Sequence, residues 1–82
     1  MEIQYRLSAA KQLKKIGAKD KPKAKKKIES LITNPLSGKL LKGELAGMRC
    51  LRAWPLRIIY TLDHKKNIII IETVDYRGDV YK

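Results

Sequence analysis

The sequence predicts an α+β domain: an N-terminal strand, a two-helix hairpin packed on one face, and a small antiparallel sheet. Three observations carry that expectation. "MEIQYRL" alternates apolar and polar residues, the next thirty residues change to helical spacing, and three β-rich runs follow, "RCLRA", "LRIIYTL" and "NIIIIETV". Strands and helices that are segregated along the chain favour helices on one side of an antiparallel sheet. At 82 residues the chain forms one domain, residues 1–82, with one modest core.

In the first strand Ile3 and Tyr5 share one side, and Gln4 and Arg6 share the other. Ser8 is placed to cap a helix from Ala9 to about Ile16, with Ala9, Leu13 and Ile16 as its apolar stripe and Gly17 as its stop. Asp20 is placed to cap the second helix, with Pro22 in the first turn, where a missing N–H costs nothing. Ala24, Ile28, Leu31 and Ile32 form the apolar face of that helix, and "TNP" ends it. In the basic run "KPKAKKK", Lys26 points away from this stripe and Lys25 and Lys27 flank it, the layout of a solvated helix face. "LSGKLLKGELAGM" reads as an irregular link with a short turn of helix. "WP" and "DHKK" join the three final strands.

Nineteen Lys and Arg against eight Asp and Glu give a formal charge of +11. An excess this one-sided favours a polyanionic partner, nucleic acid or an acidic protein, over a small metabolite. With 44% hydrophobic residues the chain has the composition of a folded domain. The single cysteine, Cys50, excludes an intrachain disulfide and a cysteine-rich zinc cluster. No stretch is apolar enough to span a membrane, and the N-terminus lacks a signal-peptide layout. The expectation is a cytoplasmic protein with no membrane, metal or small-molecule cofactor.

Strand parity is sharper than composition. A two-residue "WP" turn or a four-residue loop pairs Arg52 with Arg57 and Cys50 with Ile59 on one face, and leaves Leu51, Ile58 and Tyr60 on the other. The apolar set should meet the helices and leave the arginine face open. Like charges directly opposite each other destabilise a sheet, and an anion between them relieves the repulsion. Pairing of the guanidiniums with acids such as Glu44 or Asp75 is the structural alternative. Arg77 and Tyr81 follow in the terminal "VDYRGDVYK", and an arginine cluster near a phenol suits phosphate chemistry. His64, in the polar "DHKK" connection, reads as a solvated turn residue.

"LSAAKQLKKI", "IESLITNPLSGKLLKGELAGM", "RCLRAWPLRIIYTLD" and "VDYRGDVY", in this order, resemble the RelE/ParE superfamily of toxins from type II toxin–antitoxin pairs, over nearly the whole chain. The resemblance implies a RelE-like αα-over-β fold. In the RelE branch it also implies a metal-independent, ribosome-dependent endoribonuclease that inhibits translation. There the RNA 2′-hydroxyl attacks the adjacent phosphate, leaving a 2′,3′-cyclic phosphate and a 5′-hydroxyl. By the same resemblance Arg57 steadies the charged phosphate with Arg77, Tyr81 acts as base or stacks on the substrate, and Arg52 binds the phosphate backbone. Lys39, Lys42, Arg49, Tyr76 and Lys82 are further RNA-binding candidates. The implied partners are the ribosome, mRNA and a cognate acidic antitoxin whose amphipathic helix blocks the cationic face or displaces the terminal segment.

Two departures stand out. Cys50 occupies a position where many RelE-type members carry Lys or Arg, for which Arg49, Lys42 or Lys39 are the candidate substitutes, and Tyr76 stands where many have His. The alternatives are a ParE-like inhibitor of DNA gyrase, a branch that generally lacks the terminal Arg and Tyr as a catalytic pair, and a decayed relative that binds RNA without cutting it.

Overall fold

The computed structural model describes residues 1–76. The chain runs β1 (Glu2–Tyr5), α1 (Leu7–Lys15), α2 (Lys21–Thr33), β2 (Lys39–Leu40), a 3-10 turn (Gly43–Leu45), β3 (Arg49–Ala53), β4 (Leu56–Asp63) and β5 (Ile68–Tyr76). The strands form one sheet in the order β1-β5-β4-β3-β2. The meander β3-β4-β5 is antiparallel, as its turn signals require. β1 adds beside β5 in parallel, with Ile3 opposite Ile69 and Tyr5 opposite Ile71, so the whole sheet is mixed. Period-2 alternation marks a strand but carries no information on its direction.

Both helices cover one face. Ala9, Ile16, Ala24, Ile28 and Leu31 pack against Leu51, Ile58, Tyr60, Ile69, Ile71 and Val74 in a single buried cluster. Ile58, Ile69, Ile71 and Val74 are completely buried there. Full burial of one such side chain contributes roughly 1.5–3 kcal/mol, and this layer is the main source of stability. Among the described residues no helix is long and apolar enough to cross a membrane.

Three local expectations are corrected. α1 starts at Leu7 without a Ser8 cap. Arg6 N–H still donates to Ile71 O in the sheet (3.0 Å), while Arg6 O already accepts from Ala10 N–H (3.0 Å). Helical bonding therefore begins as soon as the chain leaves β1. Asp20 precedes α2 but makes no side-chain cap, because its carboxylate is turned to the Tyr76 phenol (3.1 Å) and Lys23 (3.7 Å). Ile32 is 51% exposed. The core stripe of α2 runs through Ala24, Ile28 and Leu31, and one further residue rotates past its edge.

The link before the sheet contains an element that its composition hides. β2, only two residues long, pairs Lys39 with Cys50 and Leu40 with Arg49. Gly43 and Gly47 bracket the 3-10 turn at positive φ, 72° and 89°, where a side chain is strained.

Candidate phosphate-binding face

On the face opposite the helices, β3 and β4 meet as the parity argument requires. Arg52 stands across from Arg57, Cys50 across from Ile59, and the Trp54–Pro55 turn closes the pair. Directly opposed residues in such a ladder have Cβ atoms about 4.5–5.5 Å apart, so the two guanidinium stems start within reach of one anion. Arg52, Trp54, Leu56 and Arg57 line a cavity of about 110 Å³ at this end of the sheet. Trp54 is 67% exposed. In the sequence it stands only as part of the "WP" turn. Its signal was a large aromatic between two arginines, in a position that strand alternation does not bury.

Acidic residues lie beside this face. Asp75 on β5 is in register with Arg57, and its Oδ1 accepts the Tyr76 N–H at 2.8 Å. Glu72 lies farther along β5, where it accepts from Thr61 Oγ1 (2.9 Å) and Arg6 Nε (3.0 Å). Glu44 is in the exposed 3-10 turn. The face is also less open than expected, since Cys50 and Ile59 are only 7% and 2% exposed. A small residue on an interior strand is readily shielded, because the long stems of Lys and Arg cover apolar surface beside them.

The remaining candidates divide between the two faces. Lys39, in register with Cys50, shares the side of Arg52 and Arg57, and Lys42 is exposed just beyond β2. Arg49 falls on the other parity, and its Nη1 donates to Gly38 O at 2.9 Å. Tyr76, opposite Leu56, also turns to the helical side. Its hydroxyl donates to Asp20 Oδ2 and accepts the Gly17 N–H at 3.2 Å. The structure therefore does not bring Arg49 or Tyr76 to the arginine pair. Arg77, Tyr81 and Lys82 lie outside the described residues.

Tyr60 organises the same region from beneath. Its buried hydroxyl donates to Pro35 O (2.7 Å) and accepts the Gly38 N–H (2.9 Å), so the link to β2 is held at two points. Burial, the largest influence, pushes this phenol above its usual 10.0, although the Gly38 N–H and nearby Arg49 favour phenolate. A Cβ at Gly38 would fall 2.6 Å from the Tyr60 ring.

A larger cavity of about 570 Å³ opens on the helical side, between Tyr5, Leu13, Lys14, Pro22 and Lys25. Its lining is mostly apolar and brings no opposed pair of forked donors together, so the arginine face is the better candidate for an anion. Among the described residues no group of three His, Cys, Asp or Glu side chains has the arrangement of a metal site.

The fold and this face define a small cationic α+β protein with an arginine pair opposed on its sheet. Its relatives make the class specific. The family described as the ParE toxin of the type II toxin–antitoxin system parDE matches residues 3–81. Toxin RelG of Mycobacterium tuberculosis is 38% identical over 45 residues, 55% of this chain, and the match spans about half of that relative (52%). The toxin–antitoxin complex RelBE2 from the same organism contains a chain with a TM-score of 0.85 at 27% identity, covering 93% of this chain and 96% of that one. The YoeB–YefM complex from Staphylococcus aureus gives 0.76 at 26% identity, covering 94% and 97%. YafQ from E. coli, at 21% identity, shares the fold with a TM-score of 0.82 over 99% and 98% of the two chains. The chain belongs to the ParE toxin family of type II toxin–antitoxin systems, within the RelE/ParE superfamily.

Proposed function

We propose that this toxin is a metal-independent endoribonuclease that cuts mRNA on the translating ribosome. The observation that carries the reading is the arginine pair, Arg52 opposite Arg57, on the sheet face that the helices leave uncovered. A sheet places like charges face to face at a cost, and a bound phosphodiester removes that cost. In this reading the RNA 2′-oxygen attacks phosphorus and the P–O5′ bond breaks, leaving a 2′,3′-cyclic phosphate and a 5′-hydroxyl. Arg57 and Arg77 stabilise the additional charge on the pentavalent phosphate. Tyr81 takes the 2′-hydroxyl proton or holds a base by stacking, and the departing 5′-oxygen takes a proton from solvent. Arg52, Lys42 and Lys82 hold the RNA backbone, and the exposed Trp54 offers a second stacking surface. The ribosome supplies the orientation of the mRNA, which by itself removes several kcal/mol of the barrier.

The test is primer extension on mRNA with translating ribosomes in the presence of EDTA. Cleavage is expected with the wild-type protein and should be strongly reduced by Arg57→Ala and by Tyr81→Phe. Intact message, or cleavage that neither substitution changes, defeats the reading.

A second reading, inhibition of DNA gyrase, is favoured by the family description, which is that of ParE. A supercoiling assay with purified gyrase separates the two, since the nuclease leaves gyrase active. A third, an RNA-binding relative without catalysis, predicts salt-sensitive RNA binding and no growth arrest. Under the first two readings the partner is an acidic antitoxin, consistent with the complexes in which the RelBE2 and YoeB relatives were solved. Its acids would complement the +11 charge and cover the arginine face. A complex in which that face stays open would refute this mode of inhibition.

A further inference from the structure

We infer that Lys39 is a further phosphate-binding cation of the arginine face, delivered from β2 across Cys50. The inference rests on the ribonuclease reading for its substrate, an RNA phosphodiester, and adds a residue and a positioning device to that site.

The geometry begins with register. Lys39 is directly opposite Cys50, so the two side chains leave the sheet on the same side. Arg52 is two residues along β3 from Cys50, on that side, with Arg57 across from it. The diagonal neighbour in such a ladder is about 7–8 Å away, and the four-carbon stem of a lysine reaches a phosphate shared with it. Cys50 is buried in the middle of this group and is not a basic residue, whereas Lys39 directly opposite it brings a cation from the neighbouring strand. Lys39 is exposed and has no carboxylate partner among the described residues.

The second observation is the means by which β2 is held. A strand of two residues contributes little to a sheet, yet the approach to it is fastened three times. Tyr60 Oη donates to Pro35 O and accepts from Gly38 N–H, and Arg49 Nη1 donates to Gly38 O. Gly38 is buried against the Tyr60 ring, where no Cβ fits. All of these contacts lie within four residues of Lys39, and they determine which side of the sheet its stem leaves from. Arg49 and Tyr60 are therefore positioning residues for Lys39.

The experiment compares the full-length wild-type toxin with Lys39→Met, Lys39→Arg and Lys11→Met. Lys11→Met removes the same charge from an exposed position on α1, in the helical layer. Two readouts are taken: cleavage of mRNA on ribosomes, and the salt dependence of binding to a single-stranded RNA oligonucleotide. Lys39→Met should cut cleavage at least ten-fold. It should also make the slope of log affinity against log salt shallower by about 0.7, the value for one lost contact to single-stranded RNA. Lys39→Arg should keep most of the activity, and Lys11→Met should match the wild type in both readouts. If Lys39→Met and Lys11→Met coincide in both readouts while the wild type cleaves, Lys39 is no part of the site and the ribonuclease reading survives. If the wild type leaves mRNA intact but only Lys39→Met flattens the salt slope, the phosphate contact stands and the nuclease reading falls.

Discussion

The two faces of the sheet obey opposite rules. On the helical face Leu51, Ile58, Tyr60, Ile71 and Val74 bury apolar surface, and the phenol hydroxyl of Tyr60 is fully satisfied. On the other face the same strands oppose Arg52 to Arg57 and carry Lys39 beside Cys50. One face is arranged for stability and the other sets cations against each other, the pattern that the proposed binding site would require of its scaffold. The lesson is that adjacent residues of one strand, such as Ile58 and Arg57, should fail in different ways when they are changed.

The largest effect tests the core. Ile58→Ala should cost about 2–5 kcal/mol in urea denaturation, a large fraction of the stability of a domain this small. A loss below about 1 kcal/mol would show that the helical layer is not the main source of stability. Next, Arg57→Ala should slow mRNA cleavage by roughly 10²-fold or more and leave far-UV circular dichroism unchanged. Gly38→Ala follows, at about 1–3 kcal/mol, because the new methyl must displace the Tyr60 ring or β2. Its effect on cleavage should exceed that of an equally destabilising change in α1, since β2 carries Lys39.

A pH experiment comes next. Burial raises the folded Tyr60 phenol above 10.0, so the unfolded chain ionises there first. Stability linked to Tyr60 is complete below about pH 10 and is lost as pH rises through the folded value. Denaturation midpoints should fall more steeply above pH 10 for the wild type than for Tyr60→Phe; parallel curves would remove Tyr60 as the cause. The smallest change should have the opposite sign. Arg52→Gln relieves a like-charge pair and should raise stability by about 0.2–1 kcal/mol while weakening RNA binding, a combination that no core substitution should produce.

The arginine pair was legible in the sequence because a two-residue turn at "WP" and a four-residue loop around it give the same register, and side chains in a strand alternate with period two. The same parity placed Leu51, Ile58 and Tyr60 on the core face. Direction was not legible: β1 lies parallel to β5, and nothing in "MEIQYRL" encodes its partner. Arg49 and Tyr76 were read by residue type, as a cation and an aromatic near an anion site, although alternation sends both to the helical side. Asp20 looked like a helix cap because the sequence does not show that Tyr76, 56 residues later, claims its carboxylate. Local propensity lost to a long-range hydrogen bond in that case. β2 was hidden because two residues carry no periodicity, and the Tyr60 and Arg49 contacts that fasten the approach to it are long-range.

The Tyr76 phenol has one more consequence. It bonds to Gly17 and Asp20, at the corner between α1 and α2, from the end of the strand whose preceding residue, Asp75, faces Arg57. The corner of the hairpin and the rim of the arginine face thus share a single rivet. The contact that closes the hairpin corner therefore also anchors the end of β5, one residue from the acid beside Arg57.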